Sequence, residues 1–178
     1  MALTVLIGGA RSGKSSLAVR RAAALGRPVV FVATAEPLDP EFEQRIARHQ
    51  QERPADWRLV EEPLALEEVL LGVPDDATVV VDCLSLLVAN LIGREDAEDE
   101  IVASAQRASR LATKRPGATL VVTNEVGMAI VPANALARRY RDVLGRVNAT
   151  WAAAAGETLL VVAGRTLRLS ASDSDRPQ

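Results

Sequence analysis

The octapeptide Gly8-Gly9-Ala10-Arg11-Ser12-Gly13-Lys14-Ser15 constrains this chain more than any other stretch. It follows the apolar run Leu3-Thr4-Val5-Leu6-Ile7 and leads into an alanine-rich helical pattern, so a buried strand passes through a glycine-rich turn into a helix. Its glycines let successive backbone N–H groups converge on one point, and that point lies at the positive end of the following helix. A polyphosphate fits such a cradle. Lys14 can reach the β- and γ-phosphates, and the Ser15 hydroxyl can join the coordination shell of Mg²⁺. The bland alternative is a turn without a ligand, and the strand and helix on either side argue against it.

Beyond the loop, strand-like apolar runs alternate with helical stretches, which is the pattern of an α/β chain with a parallel sheet covered on both faces. Strands are expected at Pro28–Ala33, Trp57–Val60, Thr78–Asp82, Ala118–Thr123 and Thr158–Ala163, and Thr166–Leu169 alternates like an antiparallel partner at the sheet edge. In open parallel sheets ligands gather at the carboxyl ends of strands. That edge receives Ala33-Thr34-Ala35, the acids Glu61 and Glu62, Asp82, and Asn124-Glu125. Asp82 ends the run Thr78-Val79-Val80-Val81 and reads as a second metal-holding group opposite Ser15, the pairing that a phosphate-binding loop requires. Glu61 and Glu62 can accept hydrogen bonds from a ligand or simply end a strand in water. The segment Val126–Pro132 is unusually apolar for a loop, as for a packed lip or a subunit contact.

Composition narrows the function classes. With 178 residues, 48% of them hydrophobic and 25% charged, the chain suits one globular domain over residues 1–170 and a polar, frayed tail over 171–178. A net charge of −2 implies no general attraction to nucleic acid or to a membrane surface. The single cysteine, Cys83, excludes an internal disulfide and a cysteine-based zinc cluster. No basic leader and no apolar run of spanning length is present, and the expected location is the cytoplasm.

One further element carries chemistry. Asp39-Pro40 has the form of a helix start, and Glu41–Glu52 follows, with Phe42 and Ile46 as a thin apolar seam and Arg45 and His49 sharing another face. His49 is the chain's only histidine. By spacing alone it is an imidazole on a solvated face; the sharper reading is a nucleophile toward phosphorus, with Arg45, Arg48 and Arg53 near it to pair with phosphate oxygens.

Taken together, the loop Gly8–Ser15, Ala33-Thr34-Ala35, Arg45-Ile46 with His49, Arg53-Pro54 with Trp57, Glu61, Asp82-Cys83-Leu84-Ser85, Asn124-Glu125-Val126-Gly127-Met128 and Arg141-Asp142 with Gly145, Arg146 and Asn148 closely resemble the bifunctional adenosylcobinamide kinase/adenosylcobinamide-phosphate guanylyltransferases of cobalamin biosynthesis. The resemblance spans nearly the whole chain; Ala129, Ala149 and Gly156 depart from residues common in that family.

This resemblance implies a RecA-like P-loop domain assembled as a homotrimer. It implies phosphorylation of adenosylcobinamide by ATP or GTP, then transfer of GMP from GTP through a histidine to give adenosylcobinamide-GDP. His49 stands at the position of the histidine that carries GMP. Nucleotide contacts carry over to Gly8, Gly9, Ala10, Arg11, Ser12, Gly13, Lys14, Ser15, Ala33, Thr34, Ala35, Gln50, Gln51, Glu52, Arg53, Glu61 and Asp82, with Mg²⁺ held by Ser15 and Asp82. Beside the bifunctional enzyme stand two other readings: a P-loop kinase without nucleotidyl transfer, and a non-catalytic NTP-binding switch.

Overall fold

The first strand, β1 (Leu3–Gly8), is buried along its whole length, as its unbroken apolar run requires. It sits inside the sheet with parallel neighbours on both sides, Leu3 opposite Thr119 and Thr4 opposite Glu157. In this computed structural model residues 3–36 and 54–170 are described. Helix α1 (Lys14–Ala24) follows β1, then come β2 (Val29–Ala33), β3 (Arg58–Glu61), α2 (Leu66–Gly72), β4 (Thr78–Asp82), α3 (Leu84–Gly93) and α4 (Glu98–Lys114). The chain continues through β5 (Thr119–Asn124), α5 (Ala135–Ala154), β6 (Glu157–Val162) and β7 (Arg165–Leu169). The strands form one seven-stranded sheet in the order β3-β2-β4-β5-β1-β6-β7. Every pairing is parallel except that of β6 with β7, which are antiparallel and close the edge as a hairpin.

Alternate residues of each strand feed opposite layers. Leu6, Phe31, Val80, Leu120 and Val161 pack with Ala18 and Ala22 of α1 on one face. Val5, Val32, Val81 and Val121 face the other, against Leu66, Leu84, Ile101, Val143 and Trp151 of α2 to α5. Sheet and helix layers therefore enclose two cores, and the expected α/β architecture with an antiparallel edge strand is present.

Element ends follow local chemistry. The Asn134 side chain accepts the Ala137 amide and starts α5. Glu62 accepts the amides of Leu64 and Ala65 at 2.9 and 2.8 Å, which turns the chain into α2. The acids Glu98, Asp99 and Glu100 are the first turn of α4. They favour the helix dipole, and the first two also reach across to α5: Arg139 meets Glu98 at 3.3 Å and Arg146 meets Asp99 at 2.7 Å. Arg115, buried at the end of α4, donates to the carbonyls of Val73, Pro74 and Ala77 at 2.7 to 3.1 Å and so holds the turn before β4. Among the described residues no helix is long and apolar enough to cross a membrane.

Candidate active site

β1 ends at Gly8, and its carbonyl accepts the Glu125 amide at 3.0 Å. A side chain at Gly8 would strike the Val161 carbonyl oxygen, so only glycine lets the turn begin against β6. The loop closes at Gly13, whose φ of 97° is in the left-handed region. From there α1 starts with no side-chain cap and no acid in its first turn, leaving its leading amides and positive dipole end for an anion. Lys14 is buried and lies across the loop, its Nζ donating to the Gly9 carbonyl at 2.6 Å and near Ser12 Oγ at 3.4 Å. The hairpin between β6 and β7 braces the loop from behind: the Gly164 amide donates to the Ser12 carbonyl at 2.9 Å.

The second half of the site comes from β4. Asp82 stands at its carboxyl end, and the Ser15 hydroxyl donates to its Oδ1 at 3.2 Å. The structure thus brings together the two residues that the sequence pairs across 67 positions. A hydroxyl and a carboxylate beside a phosphate cradle are hard oxygen donors of the type Mg²⁺ takes, so the residues present fit that ion.

The remaining predicted residues lie at different distances. Thr34 is fully buried; its hydroxyl donates to the Cys83 carbonyl at 2.7 Å and accepts the Cys83 amide at 2.9 Å, which locks the end of β2 to the end of β4. Ala33 and Ala35 flank it, partly exposed, at the same edge. Glu61 is exposed at the end of β3, four strand spacings or about 19 Å from β1. Arg11, Gly9 and Ala10 are exposed at the loop's tip. His49, Gln50, Gln51, Glu52 and Arg53, with the expected helix from Asp39, lie outside the described residues.

A polar cluster next to Asp82 went unassigned in the sequence. Asn124, at the end of β5, donates to Ser85 Oγ at 3.0 Å, and Ser85 Oγ lies 2.9 Å from Cys83 Sγ. Asn148 of α5 donates to the Asn124 carbonyl at 3.0 Å and accepts the Thr123 hydroxyl at 2.7 Å, while the Tyr140 hydroxyl donates to the Ser85 carbonyl at 3.2 Å. Burial pushes the Cys83 thiol up to about 11 with the Asp82 charge adding to it, so at neutral pH it is a small buried hydrophobe. Burial likewise pushes the Tyr140 phenol up to about 12. What the sequence offers as a signal is place: Asn124 ends a strand and Glu125 follows it, and the structure sets that strand between those of the phosphate loop and of Asp82.

Comparison with known proteins bears on the whole site. The family described as cobinamide kinase / cobinamide phosphate guanyltransferase matches residues 4–169, from β1 to the last residue of β7. This chain belongs to that family. Within the cobinamide kinase/guanyltransferase family it is similar to the bifunctional adenosylcobalamin biosynthesis protein CobU of Salmonella typhimurium, with 40% identity over 91% of this chain and 96% of that protein. The CobU protein of Escherichia coli is 39% identical over 91% of this chain and 96% of its own length. For CobP of Pseudomonas aeruginosa the identity is 38%, over 93% and 95%. The fold has wider kin. A structure titled as a study of PH0250 from Pyrococcus horikoshii superposes with a TM-score of 0.58 at 10% identity, over 97% of this chain and 88% of that one. RadB recombinase superposes with a TM-score of 0.50 at 18% identity, over 89% and 73%.

Proposed function

We propose that residues 1–170 act as one nucleotide-binding unit that phosphorylates adenosylcobinamide from ATP or GTP and then passes GMP from GTP, through His49, to the new phosphate. The observation that carries the reading is the joining of the loop Gly8–Ser15 to Asp82 through the 3.2 Å Ser15 contact, in a chain whose family is defined by these two transfers. In the first step the loop amides and the α1 end hold the nucleotide's phosphates, and Lys14 neutralises charge that spreads onto the equatorial oxygens. Ser15 and Asp82 would hold Mg²⁺, which when bound supplies further neutralisation and orients the terminal phosphates. The acceptor is the aminopropanol hydroxyl of the cobinamide, placed in line by the site.

In the second step a neutral imidazole displaces pyrophosphate from GTP, its nitrogen bonding the α-phosphorus as the bond to the bridging oxygen breaks. The resulting phosphoramidate is then attacked by cobinamide phosphate, splitting one displacement into two. Strand β2 ends at the same sheet edge as the phosphate loop, which supports Ala33 to Ala35 as nucleotide contacts. Ala33, Thr34, Ala35, Glu61 and Gln50 to Arg53 are the further nucleotide contacts of this reading. The working assembly is a homotrimer in the cytoplasm.

Incubation with α-labelled GTP tests the proposal. The wild-type chain should retain an acid-labile, base-stable label, and His49→Ala should lose it while still phosphorylating cobinamide. Unlabelled wild-type protein that phosphorylates cobinamide would remove the guanylyl half, leaving a kinase alone.

A further inference from the structure

Resting on the kinase reading above, we infer that Glu125 is the proton acceptor for the alcohol that attacks the γ-phosphate. The argument begins with position. β5 lies between β1 and β4, so the residues just past its end stand between the phosphate loop and Asp82. Glu125 is the first of them, and its amide is fixed to the Gly8 carbonyl, where the loop begins, at 3.0 Å. Its backbone therefore cannot drift from the cradle without breaking that bond.

Chemistry singles it out further. Phosphoryl transfer to an alcohol must shed the hydroxyl proton, and a positioned carboxylate is the usual acceptor. The loop amides and the Lys14 ammonium are donors. Asp82 is engaged by Ser15 and assigned to the cation. Glu62 is spent on the start of α2. Glu36 and Glu61 follow β2 and β3, three and four strand spacings from β1, about 14 and 19 Å. Glu125 alone among the described acids ends a strand adjacent to β1 with its carboxylate uncommitted to a cation. One of its oxygens accepts the Gly127 amide at 2.5 Å, which orients the group, and among the described residues the carboxylate has no other partner.

The step balances. A lone pair on the alcohol oxygen forms the new bond to the γ-phosphorus as the bond from that phosphorus to the β–γ bridging oxygen breaks, its electron pair leaving with the nucleoside diphosphate. The alcohol's proton passes to the Glu125 carboxylate and from there to water. Guanylyl transfer needs no such acceptor, since its attacking groups are an imidazole and a phosphate.

Measuring the two half-reactions separately tests this. In Glu125→Gln, which keeps the acceptor for the Gly127 amide, kcat for cobinamide phosphorylation should fall about 100-fold. KM for the nucleotide, binding of a fluorescent GTP analogue, and guanylylation of supplied cobinamide phosphate should all stay within about threefold. Formate should restore part of the kinase rate of Glu125→Ala. A kinase rate within about fivefold of wild type in Glu125→Gln overturns the inference, as does parallel loss of both half-reactions, which marks a structural role. Wild-type protein that phosphorylates no cobinamide would overturn the functional reading itself, and this inference with it.

Discussion

At the residue scale, the loop glycines differ sharply in what they tolerate. At Gly8 a methyl group lands on the Val161 carbonyl oxygen and within 3.2 Å of Ser12 Oγ, whereas at Gly9 it meets nothing within 4 Å. Gly8→Ala should therefore lower unfolding stability by about 1–3 kcal/mol through overpacking, and Gly9→Ala by less than about 0.5 kcal/mol. Urea unfolding of both variants checks this; equal losses would show that the close approach of β6 does not matter. Sequence made the loop, Lys14, Ser15 and Asp82 legible because each answers to a local spacing rule. Spacing alone does not rank Glu61 against Glu62. Only the structure shows that Glu62 turns the chain into α2 while Glu61 stays exposed on a distant strand. Its place at a strand end puts Thr34 at the ligand edge. There its hydroxyl is engaged by both backbone groups of Cys83, a contact across 49 residues that no local pattern encodes.

Among the elements, boundaries followed periodicity and punctuation closely. β4 coincides with the expected Thr78–Asp82, and α5 starts at the Asn134 cap. The acidic stretch after Gly93 shows what periodicity misses. Its last three acids are already helical; Glu98 and Asp99 pair with arginines of α5, partners on another element, while Glu100 pairs with Arg107 within α4. Exposed pairs of this kind add little stability, so the joint between α5 and the sheet depends more on Asn148. That side chain is buried and serves both the Thr123 hydroxyl and the Asn124 carbonyl at the end of β5. Asn148→Ala orphans the fully buried Thr123 hydroxyl and should cost about 1–3 kcal/mol in thermal or urea unfolding. A loss under about 0.5 kcal/mol would mean that the polar cluster beside Asp82 is held by other contacts.

For the whole molecule, the apolar segment after β5 matters most. Met128, Ile130, Val131 and Leu136 are 82, 94, 60 and 61% exposed, a concentration of large apolar side chains unusual outside an interface. In the homotrimer proposed above this segment is the surface available for contact between subunits. Light scattering should give the mass of a trimer for the wild type and of a monomer for Ile130→Asp, with unchanged helical content. A monomeric wild type would remove that assembly. Much of the family resemblance is readable along the chain because Gly8, Ala33, Glu61, Asp82 and Asn124 fall at strand ends, where ligands bind in parallel sheets. A last consequence concerns the ribosome. β1 leaves it long before its neighbours, the strands that begin at Thr119 and Glu157, and before Gly164 of the turn that steadies Ser12. During translation the nascent chain thus displays its phosphate-loop residues well before the strands and the turn that brace the loop have emerged.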